Sequence, residues 1–165
     1  MIVFLVCACK SIVYRIFETL LRLIDIGYTF LEHTSDVMIE AHGASIGEAF
    51  SFAAKAMFDV MFDTSKVVER QSMKFEVTAR DLESLLYSWL EELLYKFDVE
   101  RIAFSKFNFT FAKMKGTMSG KGEARGEPFD PGKHTRRTEV KAVTFEEILV
   151  AQTSNGFTVR FVLDI

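Results

Sequence analysis

Apolar residues recur along this chain with two distinct periods. Ile46, Ala49, Phe50, Ala53, Ala54, Met57, Phe58 and Met61 are spaced by three and four, the interval that lines one face of a helix. Ser45 and Glu48 form a capping box: Ser45 can accept the amide three residues on, and Glu48 can reach back. Leu82, Leu85, Leu86, Trp89, Leu90, Leu93, Leu94 and Phe97 predict a second buried helix, opened by Thr78 and Asp81. Elsewhere the period is two. Val37, Ile39 and Ala41 alternate with polar positions as a short strand, which His42-Gly43 turns. Residues 72–78 read as a strand around Phe75 and Val77, and Phe107, Phe109 and Phe111 mark another. Residues 137–151 read as a strand, and Asn155-Gly156 is a two-residue hairpin signal into the last one. There Phe157, Val159, Phe161 and Leu163 share one face, while Thr158, Arg160, Val162 and Asp164 share the other. The order β-α-β-α followed by a run of β predicts an α+β fold, with two helices packed on one face of a largely antiparallel β-sheet.

Residues 1–26 lack this punctuation. Met1 to Cys9 is an apolar run too short to span a bilayer and without the basic region of a secretory signal. Ile12, Val13, Ile16, Phe17, Leu20, Leu21 and Ile24 follow at helical spacing. Three readings stand: a mis-assigned start, a docking or membrane-surface helix, and a weak signal peptide. The residues from Gly27 onward read as a complete domain, which favours the first. The expected division is an extra segment over 1–26 and one domain over 27–165.

Composition narrows the class. A chain of 165 residues fits one domain with a real core, and seventeen phenylalanines supply apolar bulk. Two prolines and nine glycines leave little room for linkers. Both cysteines, Cys7 and Cys9, lie in the first ten residues, so no disulfide framework is available and a reducing, cytoplasmic compartment is expected. No membrane association is expected of the domain. The net charge of −3 argues against a general nucleic-acid binder. That average hides an asymmetry: residues 101–141 carry ten Lys/Arg against four Asp/Glu, a local +6, so the rest carries −9. A basic strip of this kind fits a phosphate or an acidic partner, or simply the wet face of an antiparallel sheet.

No phosphate loop, dinucleotide fingerprint or zinc spacing is present. His33, Ser35 and Asp36 have the side chains of a hydrolase triad, but chain neighbours point different ways and a triad draws on distant segments. Oxygen chemistry remains. The last strand carries Asp164 and the carboxylate of Ile165 to its end, and two anions so close repel unless a cation or donor compensates them. Asp36, Asp164 and Ile165 would together suit a divalent metal ion such as calcium, magnesium or manganese. The alternative is a solvated strand end. Lys141, read as sharing a strand face with Arg137 and Glu139, is either a surface pair or a cation presented to a phosphate or partner carboxylate.

Four tracts, Phe30-Leu-Glu-His-Thr-Ser-Asp36, Gly126-Glu-Pro-Phe-Asp-Pro-Gly-Lys-His134, Glu139-Val-Lys-Ala-Val-Thr144 and Leu163-Asp-Ile165, together resemble the archease family over roughly residues 27–165. The resemblance implies a small α+β protein that is not itself an enzyme. It is a protein cofactor of the RtcB-type RNA ligase, which seals RNA ends in tRNA splicing and is activated by guanylylation of its own histidine. The resemblance further implies that the protein promotes this guanylylation and repeated turnover, meeting RNA only indirectly, through the ligase. Carried over by position, the family's metal site falls on Asp36, Asp164 and Ile165, and the activating lysine on Lys141. Ser35 stands where alanine is common, and Phe145-Glu146 replaces a frequent Tyr-His pair, adding a negative charge near the site. Two other classes compete: a stand-alone metal-dependent hydrolase, which would turn over substrate with no partner, and a chaperone-like binding module using the aromatic-rich sheet.

Overall fold

The computed structural model of the protein describes residues 27–31, 36–114 and 116–165. The apolar segment 1–26, and with it the reading of its role, lies outside the described residues, as do His33 and Ser35. Strands β1 (Gly27–Leu31) and β2 (Val37–Gly43) precede helix α1 (Ile46–Met61). A short 3-10 turn (Thr64–Lys66) leads to β3 (Gln71–Ala79) and helix α2 (Leu82–Glu100). Strands β4 (Ile102–Met114), β5 (Thr117–Pro128), β6 (Ala142–Thr153) and β7 (Gly156–Asp164) complete the chain.

The helices form where local chemistry dictates. Ser45 accepts the Glu48 amide at 3.2 Å, and Glu48 reaches back to the Ala44 amide at 2.7 Å, so two donors at the start of α1 are satisfied. α2 begins differently from the sequence reading. Thr78 belongs to β3, and Asp81 is itself the cap, accepting the Ser84 amide at 2.7 Å. Its carboxylate is held below the usual range, first by the Ser84 hydrogen bonds.

The fold is α+β, and every strand pairing is antiparallel. The strands divide into two sheets, ordered β1-β2-β7-β6 and β3-β5-β4, and the helix pair packs against both. β1 is an additional strand, paired along β2. The predicted strand over 137–151 starts later, at Ala142. Its first residues are spent on α1, where the amides of Arg137 and Thr138 satisfy the last carbonyls, Met61 O at 2.8 Å and Val60 O at 3.2 Å. The last hairpin turns one residue earlier than expected, at Ser154-Asn155. Gly156 opens β7 with φ +144, and a Cβ there would stand 2.2 Å from the Gly43 carbonyl oxygen.

The core is aromatic. Trp89, Phe50, Phe58, Phe62, Phe104 and Phe161 are fully buried, each contributing on the order of 2 kcal/mol by removal from water. Trp89 meets the Phe75 and Phe109 rings at 5.3 and 5.1 Å. It fits because β5 carries Gly122 beneath it, where a Cβ would lie 2.2 Å from the indole Cζ3. Val159, Phe161 and Leu163 of β7 are buried as the alternation predicts, Phe157 only partly so, while Val162 on the other face is buried as well.

Candidate functional site

β7 is an inner strand, with β2 on one side and β6 on the other. Val37 pairs with Leu163 and Ala142 with Asp164. One further step of each register sets Asp36 beside Asp164 and Lys141 beside Ile165. The Lys141 amide continues the ladder to the Asp164 carbonyl at 2.8 Å. Its ammonium donates to the main-chain oxygen of Ile165 at 2.7 Å and stands 3.9 Å from Asp164 Oδ1. Three strand ends, two of them more than 100 residues from the first in sequence, thus bring hard oxygens and one ammonium together. The Ile165 side chain packs partly against the core, which anchors this end of β7. Asp164 and Lys141 are more than half exposed, at 51% and 60% of their side chains, so the cluster faces outward.

Lys141 does not share a strand face with Arg137 and Glu139, because residues 137–141 precede β6 and are not strand. Arg137 instead turns to the Asp59 carbonyl at 2.9 Å. Asp59 organises a half-buried cluster on α1 that the sequence reading missed. It takes Lys55 at 2.7 Å, together with the Thr64 and Tyr28 hydroxyls. Burial raises its carboxyl pKa, but the bonds from Lys55, Thr64 and Tyr28 outweigh burial and hold it low. The same contact raises Tyr28, first through burial and then through its bond to Asp59. The i,i+4 spacing of Lys55 and Asp59 was the available signal.

The Gly126–His134 tract is structural. Glu127 and His134 are buried. His134 Nδ1 accepts the Asp130 amide at 3.1 Å, which leaves its proton on Nε2, 3.1 Å from Glu127. Glu127 also takes Lys133 and the Val68 amide, and Arg70 stands at 3.3 Å. These contacts, the Lys133 bond foremost, hold its pKa down to about 2.

Part of the basic strip is paired where it lies. Lys121 meets Glu76 at 3.3 Å, Arg125 meets Glu123 at 2.8 Å and Lys106 meets Glu69 at 3.5 Å. β3, β4 and β5 therefore show water a mixed face, in keeping with the wet-sheet reading.

Phe145-Glu146 falls in a bulge. Thr144 pairs with Val162 and Leu149 with Arg160, so residues 145–148 stand against Phe161 alone. Beside it, α2 closes the outer edge of β6: Glu91 accepts the Val143 amide at 2.9 Å and Glu83 the Val150 amide at 3.3 Å.

Fold and site define a class: a helix pair between two antiparallel sheets, with a polar cluster where β2, β6 and β7 meet. The profile of the Archease protein family (MTH1598/TM1083) matches residues 28–165. The chain is 45% identical over 138 residues to protein archease of Sulfurisphaera tokodaii, covering 84% of this chain and 98% of the relative. It is 42% identical over 139 residues to protein archease of Methanosarcina acetivorans, covering 84% and 95%. The solution structure of Methanobacterium thermoautotrophicum protein 1598 superposes with a TM-score of 0.77 at 40% identity, covering 84% of this chain and 99% of that one. The chain belongs to the archease family.

Proposed function

We propose that this protein is a non-catalytic cofactor of an RtcB-type RNA ligase, promoting guanylylation of the ligase and its repeated turnover in tRNA splicing. Family membership supports the accessory role. The observation that carries the site is the convergence of Asp36, Asp164, Ile165 and Lys141 at the ends of three paired strands. Asp36, Asp164 and the terminal carboxylate of Ile165 would hold a divalent ion. The donor set fits: all are hard oxygens, suited to calcium, magnesium or manganese and poor for a thiophilic metal. Among the described residues no group of three His, Cys, Asp or Glu side chains could hold a metal, and in this reading the third anionic ligand is the Ile165 carboxylate. A bound ion would neutralise charge on a phosphoryl group.

The chain's own residues do the rest. The β2 and β6 ladders fix the end of β7, so the oxygens stand on backbone and not on a loose tail. Lys141 compensates the local negative charge, and its exposed ammonium can swing to a phosphate of the ligase's nucleotide. The protein works in the cytoplasm and touches RNA only through the ligase. Among the described residues no helix is long and apolar enough to cross a membrane. The deciding experiment is guanylylation of a purified ligase with and without substoichiometric protein. Acceleration with no turnover by the protein alone supports the reading; an unchanged rate refutes it.

A further inference from the structure

One side of α2 is open to solvent in the gap between two sheet edges. β6 is the outer strand of one sheet and β3 of the other, and α2 packs against both. Tyr87 and Tyr95 of α2, with Glu76, Glu91 and Glu92, line a groove of about 480 Å³ there. Phe145 leaves β6 at the bulge, 54% exposed, and its ring lies 4.4 Å from that of Tyr87. Tyr95 is 57% exposed. The Tyr87 and Phe145 rings cover one another, and much of the Phe145 and Tyr95 area remains in water.

The rim is acidic. Glu83, Glu91 and Glu92 on α2 and Glu146 and Glu147 on the bulge form no ion pair among the described residues. Two nearby cations are committed: Lys96 holds Glu100 at 2.6 Å and Lys121 holds Glu76 at 3.3 Å. Glu83 and Glu91 also occupy amides on the outer edge of β6, so this edge is poorly placed to add a strand from a partner. What the face offers is side-chain contact: exposed rings for guanidinium stacking, ringed by carboxylates for ion pairing.

We propose that the Tyr87–Tyr95–Phe145 face with its glutamate rim is a docking surface for a basic protein surface. The proposal rests on the ligase reading and deepens it, because a protein that holds RNA carries such a basic surface. Glu91 is bonded to the amide of Val143 at the start of β6, two residues from Lys141. A partner seated on this face therefore also reaches the β7 site.

The test uses the full chain and a purified RtcB-type ligase. Phe145→Ser and Glu146→Lys are compared with wild type for affinity at two salt concentrations, for Tm, and for ligase guanylylation over a concentration series. Both residues are exposed, so Tm is expected to hold. Each change is expected to raise Kd about 10-fold or more, as loss of a central aromatic or a complementary charge does. Wild-type affinity is expected to fall with salt, and both variants to reach the full guanylylation rate at saturation. Lys141→Met is expected to do the reverse, keeping affinity and losing the saturated rate. If both surface variants bind like wild type while the wild type activates the ligase, the docking surface lies elsewhere: this proposal is overturned and the ligase reading stands. If the wild type neither binds the ligase nor changes its guanylylation, the ligase reading fails and the docking proposal falls with it.

Discussion

Replacing Lys141 by methionine separates a structural lysine from a functional one, because the structure sets an upper limit on its structural contribution. The ammonium lies 2.7 Å from the Ile165 main-chain oxygen and 3.9 Å from Asp164 Oδ1, with both side chains more than half exposed. Two unit charges about 4 Å apart in water attract by about 1 kcal/mol, and lost side-chain freedom and salt take back much of that. Methionine keeps the apolar stem. The backbone bond from residue 141 to the Asp164 carbonyl, at 2.8 Å, survives any side-chain change. The expected loss is at most about 1 kcal/mol, a fall in Tm of no more than about 4 °C for a chain of this size. Divalent affinity should hold or rise by up to about 5-fold, since a cation that competes for the same oxygens is gone. Ligase guanylylation should fall by about 10-fold or more, because the ammonium contributes most where the nucleotide's phosphates are shielded from water. Thermal melts, calorimetric titration with calcium, magnesium and manganese, and transfer of labelled GMP to the ligase read the three quantities. Full activation by the variant, or a Tm fall beyond about 8 °C, would sink the argument.

Three further outcomes are expected. Extending the chain past Ile165 turns its carboxylate into an amide carbonyl, and Asp36→Asn and Asp164→Asn each remove a charge. All three should weaken divalent binding by about 10-fold or more and lower activation, with helical circular dichroism unchanged; undiminished calorimetric affinity in the extended chain removes Ile165 from the site. Glu127 has its pKa lowered in the fold from 4.5 to about 2, so its stabilising contribution is complete above about pH 4.5 and is lost as pH falls toward about 2. Urea denaturation at stepped pH should show Glu127→Gln less stable at neutral pH and with a shallower loss across that window; parallel acid limbs would refute the assignment. Deleting residues 1–26 should leave a soluble domain with a cooperative melt and full ligase activation, and an aggregated product would make that segment part of the core.

Much of this molecule is legible residue by residue. Both helices follow from apolar residues at a period near 3.6 and from side chains that satisfy their first amides, and both signals act within a few residues. β7 follows from its alternation, which fixed Val159, Phe161 and Leu163 as core before any partner strand was known. Alternation says which face of a strand is buried and nothing about which strand lies beside it. The division into two sheets was therefore invisible, as was the late start of β6, whose preceding amides are taken by α1. The buried Glu127–His134 pair was equally hidden, because a carboxylate and an imidazole in a turn-rich tract look the same in sequence whether wet or buried.

The candidate site divides along the same line. Asp164 and the chain end beside it could be read from one strand. Asp36 and Lys141 could be named as candidates by residue type, but only resemblance tied them to the chain end, since nothing local connects residues 36, 141 and 165. Only the antiparallel pairing of β7 with β2 and β6 brings them together, and it does so because burying Ile39, Phe161 and Val143 against the helices fixes both registers. A slip of one residue in either pairing would turn those apolar side chains to water, so the core that holds the fold also sets the position of each polar group at its edge.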